Sequence, residues 1–187
     1  EVVRNGGIGR LHTVEMQVWT GAAIAPSPET APPEGQDYDR WLGQSPWRPF
    51  TAARTNAWQY FWDTAEGMLT DMGAHYTDQM QWTLGTDHGG PVEFECTGEL
   101  PDPAKFISDT PLTAVGQCRY ANGVKGVMYQ RAGFKDRYLR DIGDAGWVQV
   151  DDDILLRTAA AGPGEDHLEL GFAGAGGQVE RLSLWPA

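Results

Sequence analysis

The sequence has few cysteines, few basic residues and no long apolar run. Only Cys96 and Cys118 occur among 187 residues, too few for a disulfide scaffold, so we expect two free thiols buried as small hydrophobic side chains. Fourteen lysines and arginines stand against 26 aspartates and glutamates, for a formal net charge of −12. This argues against nucleic acid and anionic membrane surfaces as partners, because both are bound through basic clusters. No apolar stretch is long enough to span a bilayer.

The length and composition fit one globular domain. Hydrophobic residues make up 41% of the chain and charged residues 21%, enough for one domain with a real core. The opening EVVRNGGIG predicts the last turn of a helix, with Asn5 and Gly6 as its stop signal. The chain lacks an initiator Met. We therefore expect an internal piece of a longer protein.

Hydrophobic periodicity predicts strands, with one clear helix early in the chain. LHTVEMQVW (11–19) alternates as a strand does, the Pro-rich residues 20–37 predict a long loop, and residues 69–82 predict a helix ended by Gly85. Further strands are predicted at 91–100, 113–130, 146–150, 154–158 and 167–172.

Asn122-Gly123 between two extended runs predicts a type I′ hairpin turn. Strands joined by hairpins, with helices set early, predict the α+β class. The expected form is a large open, mainly antiparallel β-sheet with helices packed on one face.

The predicted helix carries an unusual polar stripe. At 100° per residue, Asp71, His75, Asp78 and Trp82 fall on one side. An apolar set falls on the opposite side: Leu69, Gly73, Tyr76, Met80 and Leu84. A solvated polar face is the commoner explanation of such a stripe. Trp82, together with the aromatic-rich residues 38–62, favours the wall of a pocket instead.

In a pocket this stripe could perform acid–base chemistry. His75 is the natural general acid/base, because its unperturbed pKa lies near neutrality. Asp71, one turn earlier, can orient the ring, and Asp78 could accept hydrogen bonds from substrate hydroxyls. Aromatic rings combined with carboxylates suit a sugar or polyol.

A metal site is the competing interpretation of the stripe. His12, His88 and His167 could add ligands, but none has ligand spacing to the others, and we predict no metal. The chain also lacks a P-loop, a Gly-x-Ser-x-Gly motif and a dinucleotide-binding Gly-x-Gly-x-x-Gly after a strand.

Four segments, in order and spacing, resemble the substrate domain of the Gfo/Idh/MocA oxidoreductases, which include glucose–fructose oxidoreductase and inositol dehydrogenase. The segments are EVVRNGGIGRLHTVE (1–15), PPEGQDYDRWLGQSPWRPF (32–50), FWDTAEGMLTDMGAHYTDQMQW (61–82) and GDAGWVQVD (143–151). The resemblance implies that residues 1–187 form a single C-terminal substrate-binding and oligomerisation domain. An N-terminal Rossmann domain that binds NAD or NADP is then absent from this chain, and the fragment alone is inactive.

The resemblance also implies residue roles. Asp71 and His75 match the family's Asp-x-x-x-His pair, with His75 taking the hydroxyl proton as hydride leaves, and Asp78 matches a substrate contact. The family's catalytic Lys lies upstream, and DTAEG (63–67) stands where a subgroup has Asp-Tyr-Gly-Gly-Gly. We predict further substrate contacts at Trp47, Arg48, Trp58 and Asp63, and core positions at Trp41, Phe61 and Trp62.

Two other functions stay open from the sequence. One is a redox-type glycosidase of the same family, which would use the same histidine. The other is a non-catalytic sugar-binding or assembly module. Apolar outward positions on the predicted strands, Val115, Val127 and Tyr129, predict a homodimer or homotetramer formed through the sheet face.

Overall fold

The structure is a computed structural model that describes residues 2–86, 88–133, 137–151, 155–160, 167–172 and 179–182. Its helices are α1 (Tyr38–Leu42), α2 (Ala52–Asn56) and α3 (Asp71–Leu84), with a 3₁₀ turn at Trp58–Tyr60. The first five strands are β1 (Leu11–Val18), β2 (Glu93–Glu99), β3 (Thr113–Arg119), β4 (Lys125–Gln130) and β5 (Tyr138–Gly143). The remaining strands are β6 (Gly146–Asp151), β7 (Leu155–Ala160), β8 (His167–Phe172) and β9 (Val179–Leu182).

These strands form one open sheet in the order β2-β3-β4-β1-β5-β6-β7-β8-β9. Every neighbouring pair is antiparallel except β1 and β4, which run parallel. Helix α3 packs on one face of the sheet, against β1 and β5. The predicted α+β class, with a large and mainly antiparallel sheet, is confirmed.

Helix α3 buries the apolar side that its sequence period predicts. Gly73, Tyr76 and Met80 are buried, and Tyr76 and Met80 join a core built with side chains of β1, β4 and β5. The helix ends where predicted, because Gly85 adopts the left-handed conformation (φ 64°) and donates its N–H to Gln81 and Trp82 carbonyls. In the described part of the chain, no helix is long and apolar enough to cross a membrane.

The turn between β3 and β4 differs from the prediction. A type I′ turn needs positive φ at both central residues, but here only Gly123 has it (φ 86°) and Asn122 does not. The loop has three residues instead, closed by hydrogen bonds from Gly123 N–H to Tyr120 O and from Tyr120 N–H to Val124 O, both 2.9 Å. Asn122 Oδ1 accepts the Val124 N–H at 3.1 Å, so this asparagine caps the turn with its side chain.

Strands β5 and β9 escape the sequence prediction. The inward positions of β5 are Leu139, Asp141 and Gly143, and this mixture of apolar, acidic and small residues gives no apolar alternation. Residues 2–7 form a turn where the sequence predicts the last turn of a helix, and the expected stop residue Gly6 has φ 77°. Hydrogen bonds from Gly7 to Val2 (2.9 Å) and from Gly6 to Val3 (3.0 Å) form the pattern that ends helices.

The prediction for the cysteines is half right. Both are free thiols, and Cys118 on β3 is buried. Cys96 is exposed, because β2 lies at the sheet edge and all seven of its residues are exposed. Burial raises the pKa of the Cys118 thiol.

Candidate functional site

The polar stripe lies on the outward face of α3, opposite the buried side. His75 and Asp78 are exposed and Asp71 is half-buried. Trp82, which continues the stripe, is 58% exposed. The three titratable side chains line neither of the two cavities described below. The predicted cleft around them therefore stays a prediction, as do their roles.

The segment that leads into α3 is a tight, left-handed turn. The carbonyl of buried Phe61 accepts N–H groups from Thr64, Ala65 and Glu66 at 3.0–3.2 Å. Glu66 has φ 59° and Gly67 has φ 87°, so two successive residues occupy the region that favours glycine. Glu66 is therefore a non-glycine residue at a position where the resembling subgroup has glycine.

Asp63, in this turn, is held by two arginines. Arg48 Nε donates to Asp63 Oδ2 at 2.7 Å, and Arg54 Nη2 donates to Asp63 Oδ1. The Asp63 side chain is only 13% exposed, whereas Arg48 is 48% exposed. Both carboxylate oxygens are thus engaged, and the outermost group of the cluster is the Arg48 guanidinium.

Arg54 is the member of this cluster that sequence reasoning missed. It lies on α2, is 9% exposed and stacks over the Phe61 ring at 4.2 Å from the centroid. Its local sequence AARTN resembles an ordinary polar helix. The one available signal was the acid Asp63 in an otherwise apolar FWD triplet, which needs a buried cation as partner.

The aromatic residues divide as predicted, with one exception. Phe61 is fully buried and Trp41 packs against the stacked ring of Tyr38, whereas Trp47 and Trp58 are 71% and 40% exposed. Trp62, predicted to be core, is 60% exposed. Phe61 has extended backbone, so consecutive side chains point to opposite sides. Phe61 takes the inward direction and Trp62 the outward one.

Two cavities lie near these elements. An open cleft of about 700 Å³ runs beside α1, and its lining includes Glu29, Asp37, Tyr38, Asp39, Trp47 and Phe50. Trp47 thus stands beside carboxylates, which is the combination predicted for sugar binding. An apolar cavity of about 350 Å³ flanks α3, and its lining includes Trp62, Leu69, Met80, Phe94, Tyr120 and Met128.

A buried acid lies under the C-terminal end of α3. Asp141 on β5 is 5% exposed, and burial raises the pKa of its carboxyl to about 6, against the opposing effect of a hydrogen bond from Thr83. Thr83 Oγ1 donates to Oδ2 at 3.4 Å, and Oδ1 has no partner among the described residues. Asp141 faces the core and not the polar stripe.

Of the three histidines considered as metal ligands, His12 and His88 have described side chains, whereas the side chain of His167 lies outside the described part of the chain. His12 is exposed on β1, where its Nδ1 lies 3.0 Å from Thr13 Oγ1, and His88 is exposed after the end of α3. Across the ranges that the structure covers, no three His, Cys, Asp or Glu side chains are grouped so that they could hold a metal ion.

The fold is an open, mainly antiparallel sheet whose longest helix, α3, presents Asp71, His75 and Asp78 on its outward side. The sequence profile described as "Oxidoreductase family, C-terminal alpha/beta domain" matches residues 12–133. The chain belongs to this family, the Gfo/Idh/MocA oxidoreductases. No curated protein of known function matches it.

Solved structures share this fold. An inositol dehydrogenase homologue from Azotobacter vinelandii, complexed with NADH and myo-inositol, has 17% identity and a TM-score of 0.57, covering 96% of this chain and 39% of its own. An oxidoreductase domain protein from Kribbella flavida has 22% identity and a TM-score of 0.53, with coverages of 86% and 38%.

A third similar structure is the WlbA dehydrogenase from Bordetella pertussis, in complex with NADH and UDP-GlcNAcA. It has 19% identity and a TM-score of 0.50, and the match covers 88% of this chain and 42% of that one. The chain therefore spans about two fifths of the length of each of these structures.

Proposed function

We propose that this chain is the C-terminal substrate-binding domain of an NAD- or NADP-dependent oxidoreductase that acts on a hydroxyl of a sugar or polyol. The observation that carries the proposal is the outward stripe of α3, where His75 stands one turn from Asp71 and from Asp78. The family assignment supports an oxidoreductase. The inositol and nucleotide-sugar ligands of two similar structures support a carbohydrate substrate.

The described residues do not fit a dinucleotide site of their own. Among them, no glycine-rich loop stands between a strand and a helix, and the lead-in to α3 is the DTAEG turn. The proposal therefore assigns the cofactor to a Rossmann domain elsewhere in the protein. When bound there, its nicotinamide ring supplies the hydride acceptor.

The residues of this chain then handle the proton and the position of the substrate. The exposed His75 ring accepts the proton of the reacting hydroxyl, because an imidazole is basic enough near neutral pH to do so. Asp71 orients the ring and stabilises its protonated form. Asp78 accepts hydrogen bonds from other hydroxyls, and the exposed rings of Trp47 and Trp58 offer faces for stacking a sugar.

The test is His75→Ala in the protein that contains both domains. Turnover of a sugar panel should fall about 10²- to 10⁴-fold, the usual contribution of a general acid or base, while cofactor affinity stays unchanged. Asp71→Asn should give a smaller loss with a shifted pH profile. His12→Ala is the matched control, because His12 is also exposed but lies on β1 and not on α3.

Two results would contradict the proposal. A His75→Ala enzyme with near wild-type turnover would remove the acid–base role. Sugar binding without any nicotinamide-dependent turnover, in a protein with an intact cofactor domain, would instead identify a binding module. Glycoside cleavage without net NADH formation would assign the same histidine to a redox-type glycosidase.

A further inference from the structure

We propose that the substrate carries an anionic oxygen group, a carboxylate or phosphate, and that Arg48 binds it. The inference rests on the proposed function for the surrounding site and specifies the class of its substrate. It starts from the cluster of Arg48, Arg54 and Asp63, in which Asp63 belongs to the turn preceding α3 and Arg54 to α2.

The cluster has an excess of positive charge. Asp63 is the acid that pairs with Arg48 and with Arg54, and among the described residues neither arginine pairs with a second acid. The nearby hydroxyl of Tyr38 adds no negative charge, since burial raises its pKa further. Two guanidiniums around one carboxylate leave a net charge of +1 in a chain that is strongly acidic overall.

The cluster also has more hydrogen-bond donors than acceptors. Each guanidinium presents five N–H groups, whereas the Asp63 carboxylate takes one from each arginine. Arg54 Nε is buried and has no acceptor within the part of the chain that the structure describes. Arg54 already donates to Oδ1 of Asp63. The single negative charge of this carboxylate is therefore shared by two guanidiniums and cannot neutralise Arg48 fully.

The accessible part of this excess is the Arg48 guanidinium. Its side chain is 48% exposed, against 11% for Arg54. Its Nε donates to Asp63 Oδ2 at 2.7 Å, and neither Nη group has an acceptor among the described residues. A guanidinium held by Nε in this way presents a pair of donors to a carboxylate or phosphate.

The cluster is connected to the start of α3 through the turn that carries Asp63. Asp63 belongs to the turn closed on Phe61 O, and Thr70, the residue before α3, donates its hydroxyl to Ala65 and Gly67 carbonyls of that turn. The cluster is thereby tied to the first turn of α3, the end that carries Asp71. Trp47, which is 71% exposed, precedes Arg48 directly in the sequence.

A purely structural ion-pair cluster is the competing explanation, and substrate selectivity separates the two. Dissociation constants of D-glucuronate, D-glucose 6-phosphate and D-glucose are measured on the two-domain protein by calorimetry, without turnover. We expect wild type to bind at least one of the two anionic sugars more tightly than glucose, and the preferred anion identifies the group. Arg48→Gln should weaken binding of that anion about 10- to 100-fold, the range for hydrogen bonds to charged groups, and leave glucose unchanged.

Two further variants complete the experiment. Arg48→Lys keeps the charge but loses the planar guanidinium. It should therefore bind the preferred anion less tightly than wild type and more tightly than Arg48→Gln. Arg10→Gln is the matched control, since Arg10 forms an exposed pair with Asp144 at 3.3 Å and not with Asp63, and its substitution should leave all three dissociation constants unchanged. Equal binding of all three sugars by wild type, or equal weakening of all three by Arg48→Gln, would overturn the proposal. Failure of the proposed function would appear differently, as anion-selective binding with no turnover.

Discussion

Asp141→Asn is the substitution whose effect the structure defines best. The carboxyl is 5% exposed on β5, and burial raises its pKa to about 6 from an ordinary 3.8, although a hydrogen bond from Thr83 acts in the opposite direction. A difference of about two pKa units corresponds to about 3 kcal/mol of preference for the neutral form. The ionised carboxylate therefore destabilises the fold at neutral pH by that order.

The sign of the pH dependence follows from the raised pKa. Between pH 4 and pH 6 the folded state holds a proton on Asp141 that the unfolded state has lost, so the free energy of unfolding falls as pH rises. Above about pH 6 both states are ionised and the penalty is constant. Below about pH 4 both states are protonated and the penalty disappears.

Asparagine cannot ionise, keeps the shape of aspartate and can still accept the hydrogen bond of Thr83. Asp141→Asn should therefore raise the free energy of unfolding by up to about 3 kcal/mol at pH 8 and change it little at pH 4. The assay is urea unfolding followed by tryptophan fluorescence at several pH values between 4 and 8. Asp144→Asn is the control, because that acid is exposed. A gain that is constant with pH, or a loss at pH 8, would refute the reasoning.

Two further predictions concern packing and assembly. Phe61→Ala should lower the free energy of unfolding by about 3–5 kcal/mol, because the ring is fully buried and contacts Arg54. The exposed Trp62 is the control, and Trp62→Ala should cost under about 1 kcal/mol. Equal losses for the two variants would contradict this packing. The two-domain protein should be a dimer through the sheet face opposite α3, where half-buried Val127 and Tyr129 lie. Light scattering tests this, and a monomer throughout the micromolar range would disprove it.

The parts of the fold that could be predicted are the helix and the strands whose apolar residues recur at a regular spacing and all face the core. Helix α3 follows a 3.6-residue period and ends at a glycine, so its C-terminal end and both faces could be predicted from the sequence, whereas its first residue is Asp71 and not Leu69. Strand β1 alternates in the same readable way. Strand β5 could not be found, because its inward side carries Asp141 and Gly143, and nothing local shows that a carboxyl will be buried there.

The same contrast applies to the candidate site. Asp71, His75 and Asp78 share a face because a single helix fixes their relation, and sequence spacing alone gives that. The pairing of Asp63 with Arg54 depends on how α2 and the following turn come together in space, which no short-range pattern encodes. The exposure of Trp62 could not be predicted for a related reason. In the extended segment only one of the neighbours Phe61 and Trp62 can face the core, and the sequence does not show which one does.

The parallel contact between β1 and β4 has a consequence for the order of folding. Strand β1 lies in the interior of the sheet, where its Val14 pairs with Gly126 of β4 on one side and Asp141 of β5 on the other. Both partners come much later in the sequence. During synthesis β1 emerges long before either partner, so both of its backbone edges stay unpaired while most of the domain is made. Such distant pairing slows folding and exposes unpaired strands to aggregation. A chain that stops before Lys125 would leave β1 without either neighbour, and the sheet could not assemble around it.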